Sequence, residues 1–194
     1  DFFDSEPPTP IEHQKFTSRL DVSSESVHVS NCLFVSIEST SNGGALGCSE
    51  SVNYLLVESS SFVSCDTSST KGGIIYFENT ISGQCVLYKV CGYDCCTPSS
   101  STTGQFSHIS AQYSKTGINN VNYSSIVRCV NANSESWYTM YFCYGKIFCP
   151  SVNLSMNKCG YIPGIFCIPF SVSNSVTCSL SHSSIADNNA YTSG

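Results

Sequence analysis

Residues 34–46 read Phe-Val-Ser-Ile-Glu-Ser-Thr-Ser-Asn-Gly-Gly-Ala-Leu, and residues 62–75 read Phe-Val-Ser-Cys-Asp-Thr-Ser-Ser-Thr-Lys-Gly-Gly-Ile-Ile. Both stretches open on a phenylalanine and close on a glycine pair followed by aliphatic residues. Working outward, an aromatic or bulky apolar landmark recurs at Phe34, Phe62, Tyr93, Ile126, Met156 and Ile185, with gaps of 28, 31, 33, 30 and 29. Three residues after most landmarks stands a cysteine or asparagine: Cys65, Cys96, Cys129, Cys159 and Asn188, with Ile37 in the first copy. Self-similarity at a fixed period of this size is the signature of a solenoid.

The segments between landmarks carry short apolar clusters with period-two alternation, such as Val27/Val29, Leu55/Val57 and Ile74/Tyr76. Alternation of β-branched and aromatic residues argues for strands. The serine-, threonine- and asparagine-rich stretches between them, such as 38–42 and 97–103, read as turns or loops. A coil of about 30 residues is too short for a propeller blade, and regular leucines at leucine-rich-repeat spacing are missing. The expected architecture is all-β: a right-handed parallel β-helix of about six rungs, stapled by disulfides. In such a fold equivalent residues stack at about 4.8 Å, so the six landmarks would form one inward ladder.

The pairing of Gly43-Gly44-Ala45-Leu46 and Gly72-Gly73-Ile74-Ile75 with Phe-x-x-Cys resembles the repeats of polymorphic outer-membrane-type surface proteins, which carry GGA-aliphatic and FxxN tetrapeptides in a β-helical region. The resemblance covers residues 27 to 80 well and the remainder through the ladder alone. Cysteine stands where that family has asparagine. The resemblance implies adhesion and surface display, not catalysis.

Composition narrows the function classes. Charged residues are 11% of the chain and the net charge is −6, with Arg19 and Arg128 the only arginines. No basic stripe is available to neutralise phosphates, so nucleic acid is not an expected partner. No apolar run approaches the ~20 residues that span a bilayer, so no membrane span is expected in this chain. A charged, apolar start of signal type is also missing, so any signal or anchor would lie outside this stretch.

Thirteen cysteines in 194 residues point to an oxidising compartment. Vertical neighbours in a β-helix fall inside the Cα window for a disulfide, about 4.4–6.8 Å. Matched positions predict pairs Cys65/Cys96, Cys129/Cys159 and Cys149/Cys178, with Cys143/Cys167 a further pair. The alternative is that some of them are buried free thiols packing as small hydrophobes. The run Cys91-Gly92-Tyr93-Asp94-Cys95-Cys96 lacks the second ligand pair that structural zinc needs. No metal and no cofactor are expected. Sequons at Asn122 and Asn153 predict covalent glycans on one shared flank and fit a secretory route.

Carbohydrate cleavage on a β-helix would need carboxylates on facing positions of adjacent rungs. Counted from the landmarks, Asp66, Asp94 and Asp187 fall at different levels, and the four histidines share no repeat position. The chain is therefore expected not to be an enzyme, with a polysaccharide lyase or glycoside hydrolase as the alternative.

Residues 1–20 form the expected first segment, an extended, proline-broken arm; residues 21–194 form the β-helix. The arm carries Phe2, Phe3, Ile11 and Phe16 and is expected to lie along a neighbouring protomer, coupling subunits head to tail. The expected role is that of a secreted or surface-displayed structural and adhesive element, a protomer of an extracellular filament or stalk.

Overall fold

The computed structural model describes residues 2–3, 8–69, 71, 73–97, 103–130, 137–170 and 177–190. It is a parallel β-solenoid with three faces. Sheet I stacks the strands Ile11–Glu12, Ser26–Ser30, Tyr54–Glu58, Gln84–Tyr88, Ile118–Asn122, Lys146–Pro150 and Cys178–Ser181. Sheet II stacks Lys15–Phe16, Leu33–Val35, Ser61–Val63, Cys91–Tyr93, Ser125–Val127, Asn153–Ser155 and Ser184–Ala186. Sheet III stacks Leu20–Val22, Leu46–Cys48, Ile75–Glu78, Ser107–Ser110, Tyr138–Cys143 and Ile162–Ile168, so about five full turns are complete on all faces.

Each strand alternates, and its inward residues fill the core. Sheet I contributes Val29, Val57, Leu87 and Val121, all fully buried; sheet III contributes Phe77, Ile109 and Phe142. Sheet II strands are only three residues long or shorter, so each points a single side chain inward. That ladder runs Phe16, Phe34, Phe62, Gly92, Ile126, Leu154, Ile185. Phe16, Phe34 and Phe62 stack face to face at 4.7 and 4.5 Å.

Two of the six landmarks are corrected. Gly92, not Tyr93, occupies the inward position, and Leu154, not Met156. Tyr93 is 42% exposed and Met156 48% exposed, because strand alternation turns the one outward and Met156 sits in the following turn. The volume missing at Gly92 is supplied by Phe106, whose ring meets Phe62 edge-on at 5.9 Å. A Cβ at Gly92 would lie 2.4 Å from that ring.

The same slip overturns the disulfide expectation. All thirteen cysteines are free thiols. Cys65 stands two residues past Val63 and faces Cys95, two past its partner Tyr93, while Cys96 bridges to Asp66. Cys129 faces Asn157 rather than Cys159, by the register of Val127 with Ser155. Cys178 pairs with Ile147 and Cys149 with Leu180, an offset of two. Cys167 pairs with Phe142 and Cys143 with Ile168, an offset of one that turns the two sulfurs to opposite faces.

The arm is corrected as well. Ile11 pairs with Val29 and Phe16 with Phe34, so residues 11–20 belong to the first coil. That coil advances only 18 residues because it has no loop between sheets II and III. Phe2 and Phe3 pack against the chain's own Tyr54 and His28 on the outer face of sheet I. Residues 1 and 4–7, like Gly72 of the second glycine pair, lie outside the described residues.

Candidate functional site: coil corners and outward flanks

Two corners turn the chain from sheet to sheet, and both use left-handed backbone at non-glycine residues. Between sheets I and II these are His13, Asn31, Ser59, Lys89, Tyr123, Ser151 and His182; after sheet II they are Ser36, Ser64, Asp94, Arg128, Met156 and Asp187. Such residues cost about 1–3 kcal/mol apiece and persist only where the surroundings hold them. Past the first coil the next residue points inward, and where it is serine or asparagine its side chain helps hold the corner.

At the first corner serine hydroxyls act. Cys32 N–H donates to Ser60 Oγ at 3.1 Å, Val90 N–H to Ser124 Oγ at 3.1 Å, and Val152 N–H to Ser183 Oγ at 3.0 Å. At the second corner the inward row is Ile37, Cys65, Cys95, Cys129, Asn157 and Asn188. Asn157 Oδ1 accepts Cys129 N–H at 3.0 Å and its Nδ2 donates to Ile126 O at 3.0 Å. Asn188 repeats both bonds one coil on, at 2.8 Å each. Cys95 Sγ reaches Phe62 O at 3.4 Å, the equivalent carbonyl. A hydrogen bond from the Cys95 thiol holds the Cys65 thiol below its usual range, while burial pushes the Cys95 thiol well up. Burial likewise pushes Cys48 and Cys149 up to about 12 and Cys96 and Cys159 up to about 11. The thiols that burial raises are packing residues, poor nucleophiles at neutral pH.

The outward side of sheet III carries an aromatic row. Tyr76, His108, Tyr141 and Phe166 are register partners in successive coils, stacked at 5.3, 4.8 and 5.7 Å. In the first coils the row is Asp21 and Gly47, and the Arg19 guanidinium lies over Gly47. Arg19 donates to Gly43 O and Asn42 O at 2.7 and 2.9 Å and pairs with Asp21, tying down the glycine-rich loop. Burial lowers His108 to about 4, and Thr103 Oγ1 lies 2.6 Å from its Nδ1. Beyond Tyr141 the rings continue to Tyr138, which lies flat on Phe166 at 4.1 Å, and to the exposed Trp137 and Tyr161. Sequence reading missed this row because loops of unequal length separate its members.

One further juxtaposition was missed. Glu38 and Asp66 are register partners in a two-stranded sheet, Glu38–Ser39 with Asp66–Thr67, and line a concavity of about 610 Å³ with Ser39, Thr40 and Ser68. Burial and the Glu38 charge raise the Asp66 carboxyl. The expectation that no carboxylates share a level is therefore corrected: both stand four residues after their inward phenylalanines. Counting from Phe34 as well as Phe62 finds the pair.

The sequon asparagines both point outward, since Val121 and Leu154 beside them point in. Asn122 ends a sheet I strand and Asn153 begins a sheet II strand, so they flank one corner rather than share one face. Asn153 Nδ2 donates to Ser125 Oγ at 3.0 Å. No group of three or more histidine, cysteine or acidic side chains suited to a metal occurs among the described residues, and no helix there is long and apolar enough to cross a membrane. Comparison with family models, with curated proteins and with solved structures finds no match.

Proposed function

We propose that this chain is a structural and adhesive β-solenoid, secreted or surface-displayed, that builds an extracellular filament or stalk by stacking coil on coil. The observation that carries this reading is the state of the first and last coils among the described residues. Inward residues Leu180 and Ile185 of the last coil are 48% and 51% exposed, and Ile11, Phe16 and Leu20 of the first coil are only partly buried. Among the described residues the strands Cys178–Ser181 and Ser184–Ala186 each pair with one neighbour, and their other edges suit a further parallel strand.

Charge supports the polarity of such stacking. Residues 1–94 hold twelve acidic and four basic side chains, whereas residues 95–194 hold two acidic and four basic. Ends of opposite sign attract head to tail and repel head to head. The resemblance of residues 27 to 80 to polymorphic outer-membrane-type repeats and the outward sequons Asn122 and Asn153 favour the surface and the secretory route. The cysteine count no longer bears on the compartment, because it did so only through pairing.

The test is sedimentation and electron microscopy of the purified chain at low and high salt. Concentration-dependent species larger than the monomer, weakened by salt, are expected; a strict monomer at all concentrations overturns the filament.

A second reading rests on Glu38 and Asp66. Stacked carboxylates about one coil rise apart approach the ~5–5.5 Å spacing of retaining glycosidases. Turnover of a polysaccharide that disappears in both Asp66→Ala and Glu38→Gln would replace the structural reading by an enzymatic one.

A further inference from the structure

We propose that Asn42 is a self-modifying site, at which the Gly43 backbone nitrogen displaces the side-chain amide nitrogen as ammonia and water then opens the cyclic imide, chiefly to isoaspartate. This is a chemical activity of the chain alone and is independent of the structural and adhesive reading.

Asn42 is the only asparagine of the chain followed by glycine. Every other asparagine precedes a residue whose side chain crowds the next backbone nitrogen. Gly43 sits in left-handed backbone, φ +72°, where an added Cβ would collide with Leu46 O. Nucleophile and electrophile are neighbours in the chain, so closing the succinimide ring needs no second molecule.

The fold brings polar groups of the next coil onto both ends of the amide. Ser69 Oγ donates to Asn42 Oδ1. The Asn42 amide nitrogen donates to the Tyr76 hydroxyl oxygen, and that hydroxyl donates its own proton to Glu78 Oε2. Lys71 Nζ holds Glu78 from the other side at 2.9 Å. Burial raises the Tyr76 phenol, so it keeps its proton at neutral pH. On the main chain, Arg19 Nη2 donates to Asn42 O at 2.9 Å and Arg19 Nε to Gly43 O at 2.7 Å.

These contacts assign the steps. Gly43 N–H gives its proton to solvent base as the nitrogen bonds to Asn42 Cγ, and the charge that collects on Oδ1 faces the Ser69 hydroxyl. The Cγ–Nδ2 bond then breaks. The departing nitrogen takes a proton from the Tyr76 hydroxyl, which water restores, and leaves as ammonia. Water next attacks the ring at the former main-chain carbonyl of Asn42, which the Arg19 guanidinium polarises. The bond from that carbon to the Gly43 nitrogen breaks, leaving a carboxylate beside Arg19 and a chain that continues through Cγ. In sum one water enters and one ammonia leaves, with nothing oxidised or reduced. The product lengthens the loop by one backbone carbon, close to the concavity lined by Ser39 and Thr40.

The experiment incubates the folded chain, and the same chain in urea, in mildly alkaline buffer and follows the tryptic fragment 20–71 by mass. Conversion adds one water and removes one ammonia at position 42. Isoaspartate is read by methyl transfer from S-adenosylmethionine with an isoaspartyl methyltransferase. Conversion faster in the folded chain than in urea is expected, with isoaspartate a larger share of the product. Ser69→Ala should slow it about tenfold, less than the ~10²–10³ of a fully enclosed oxyanion donor, and Ser69→Thr should keep the wild-type rate. Tyr76→Phe, which keeps a ring on His108, should slow it by a similar factor. Conversion no faster in the fold than in urea overturns the proposal, as do wild-type rates in both Ser69→Ala and Tyr76→Phe. An isoaspartate share no larger than in urea overturns the Arg19 step.

Discussion

Cys95 and Asn157 occupy the same corner of the solenoid two coils apart and bind equivalent carbonyls. Cys95 Sγ points at Phe62 O and Asn157 Nδ2 donates to Ile126 O, each the inward residue of the preceding coil. The asparagine oxygen accepts Cys129 N–H, and the Cys95 sulfur, a weaker acceptor, takes the equivalent backbone hydrogen bond from Cys65. Thiol and amide are thus alternatives at one stacked position, with the amide making the stronger bonds to the same two kinds of backbone group.

Asn157→Ala should therefore destabilise more than its volume suggests. It strands the buried Cys129 N–H and Ile126 O, and an unpaired buried polar group costs about 1–3 kcal/mol. The thermal midpoint should drop by roughly 2–4 °C per kcal/mol at this chain length. Cys95→Asn, which restores the amide, should leave it unchanged or raised. Calorimetry of the two variants checks this, and equal midpoints for Asn157→Ala and wild type would remove the amide from the corner.

Gly92→Val should be destabilising even though valine is a better strand residue. Its side chain would enter the space of the Phe106 ring, where a bare Cβ already comes within 2.4 Å. Overpacking of that kind costs about 1–3 kcal/mol. The double variant Gly92→Val with Phe106→Ala should recover part of the loss. Additive losses in a double-mutant cycle would show that the two sites do not share one volume.

His108 gives the fold an acid-sensitive step. Its folded pKa, lowered by burial to about 4, lies below the ordinary value of 6.5. The unfolded chain takes up the proton first, so the stabilisation is complete above pH 6.5 and is lost as pH falls toward 4. The midpoint should decline from pH 6.5 downward, and the decline above pH 5 should be smaller in His108→Phe, which keeps a ring between Tyr76 and Tyr141. Nuclear magnetic resonance titration of His108 near 6.5, or identical slopes in the two proteins, would contradict this.

The solenoid was legible in the sequence because its period survives substitution, whereas its register was not. On a three-residue strand, alternation gives one inward position, and an outward tyrosine beside a glycine looks like the better core residue. Tyr93 displaced Gly92 for that reason, and Met156 displaced Leu154. Counting three residues back from Cys95 and Asn157 instead recovers both inward positions, because the corner bonds fix that distance. The first coil was hidden by its 18-residue step, which falls outside the longer period. The aromatic row was hidden by the unequal loops between its members, and the Glu38–Asp66 pair by omitting the count from Phe34.

The most direct measurement of this architecture is a thiol count. Protein made under oxidising conditions is alkylated after denaturation without reductant, and its mass is compared with that of the native, briefly alkylated protein. Thirteen modified cysteines in the denatured sample are expected, with modification of the folded protein confined at first to the exposed Cys91 and Cys178. A denatured mass short by two or more adducts, restored by reductant, would mean that disulfides staple the corners in place of the thiol and amide ladder.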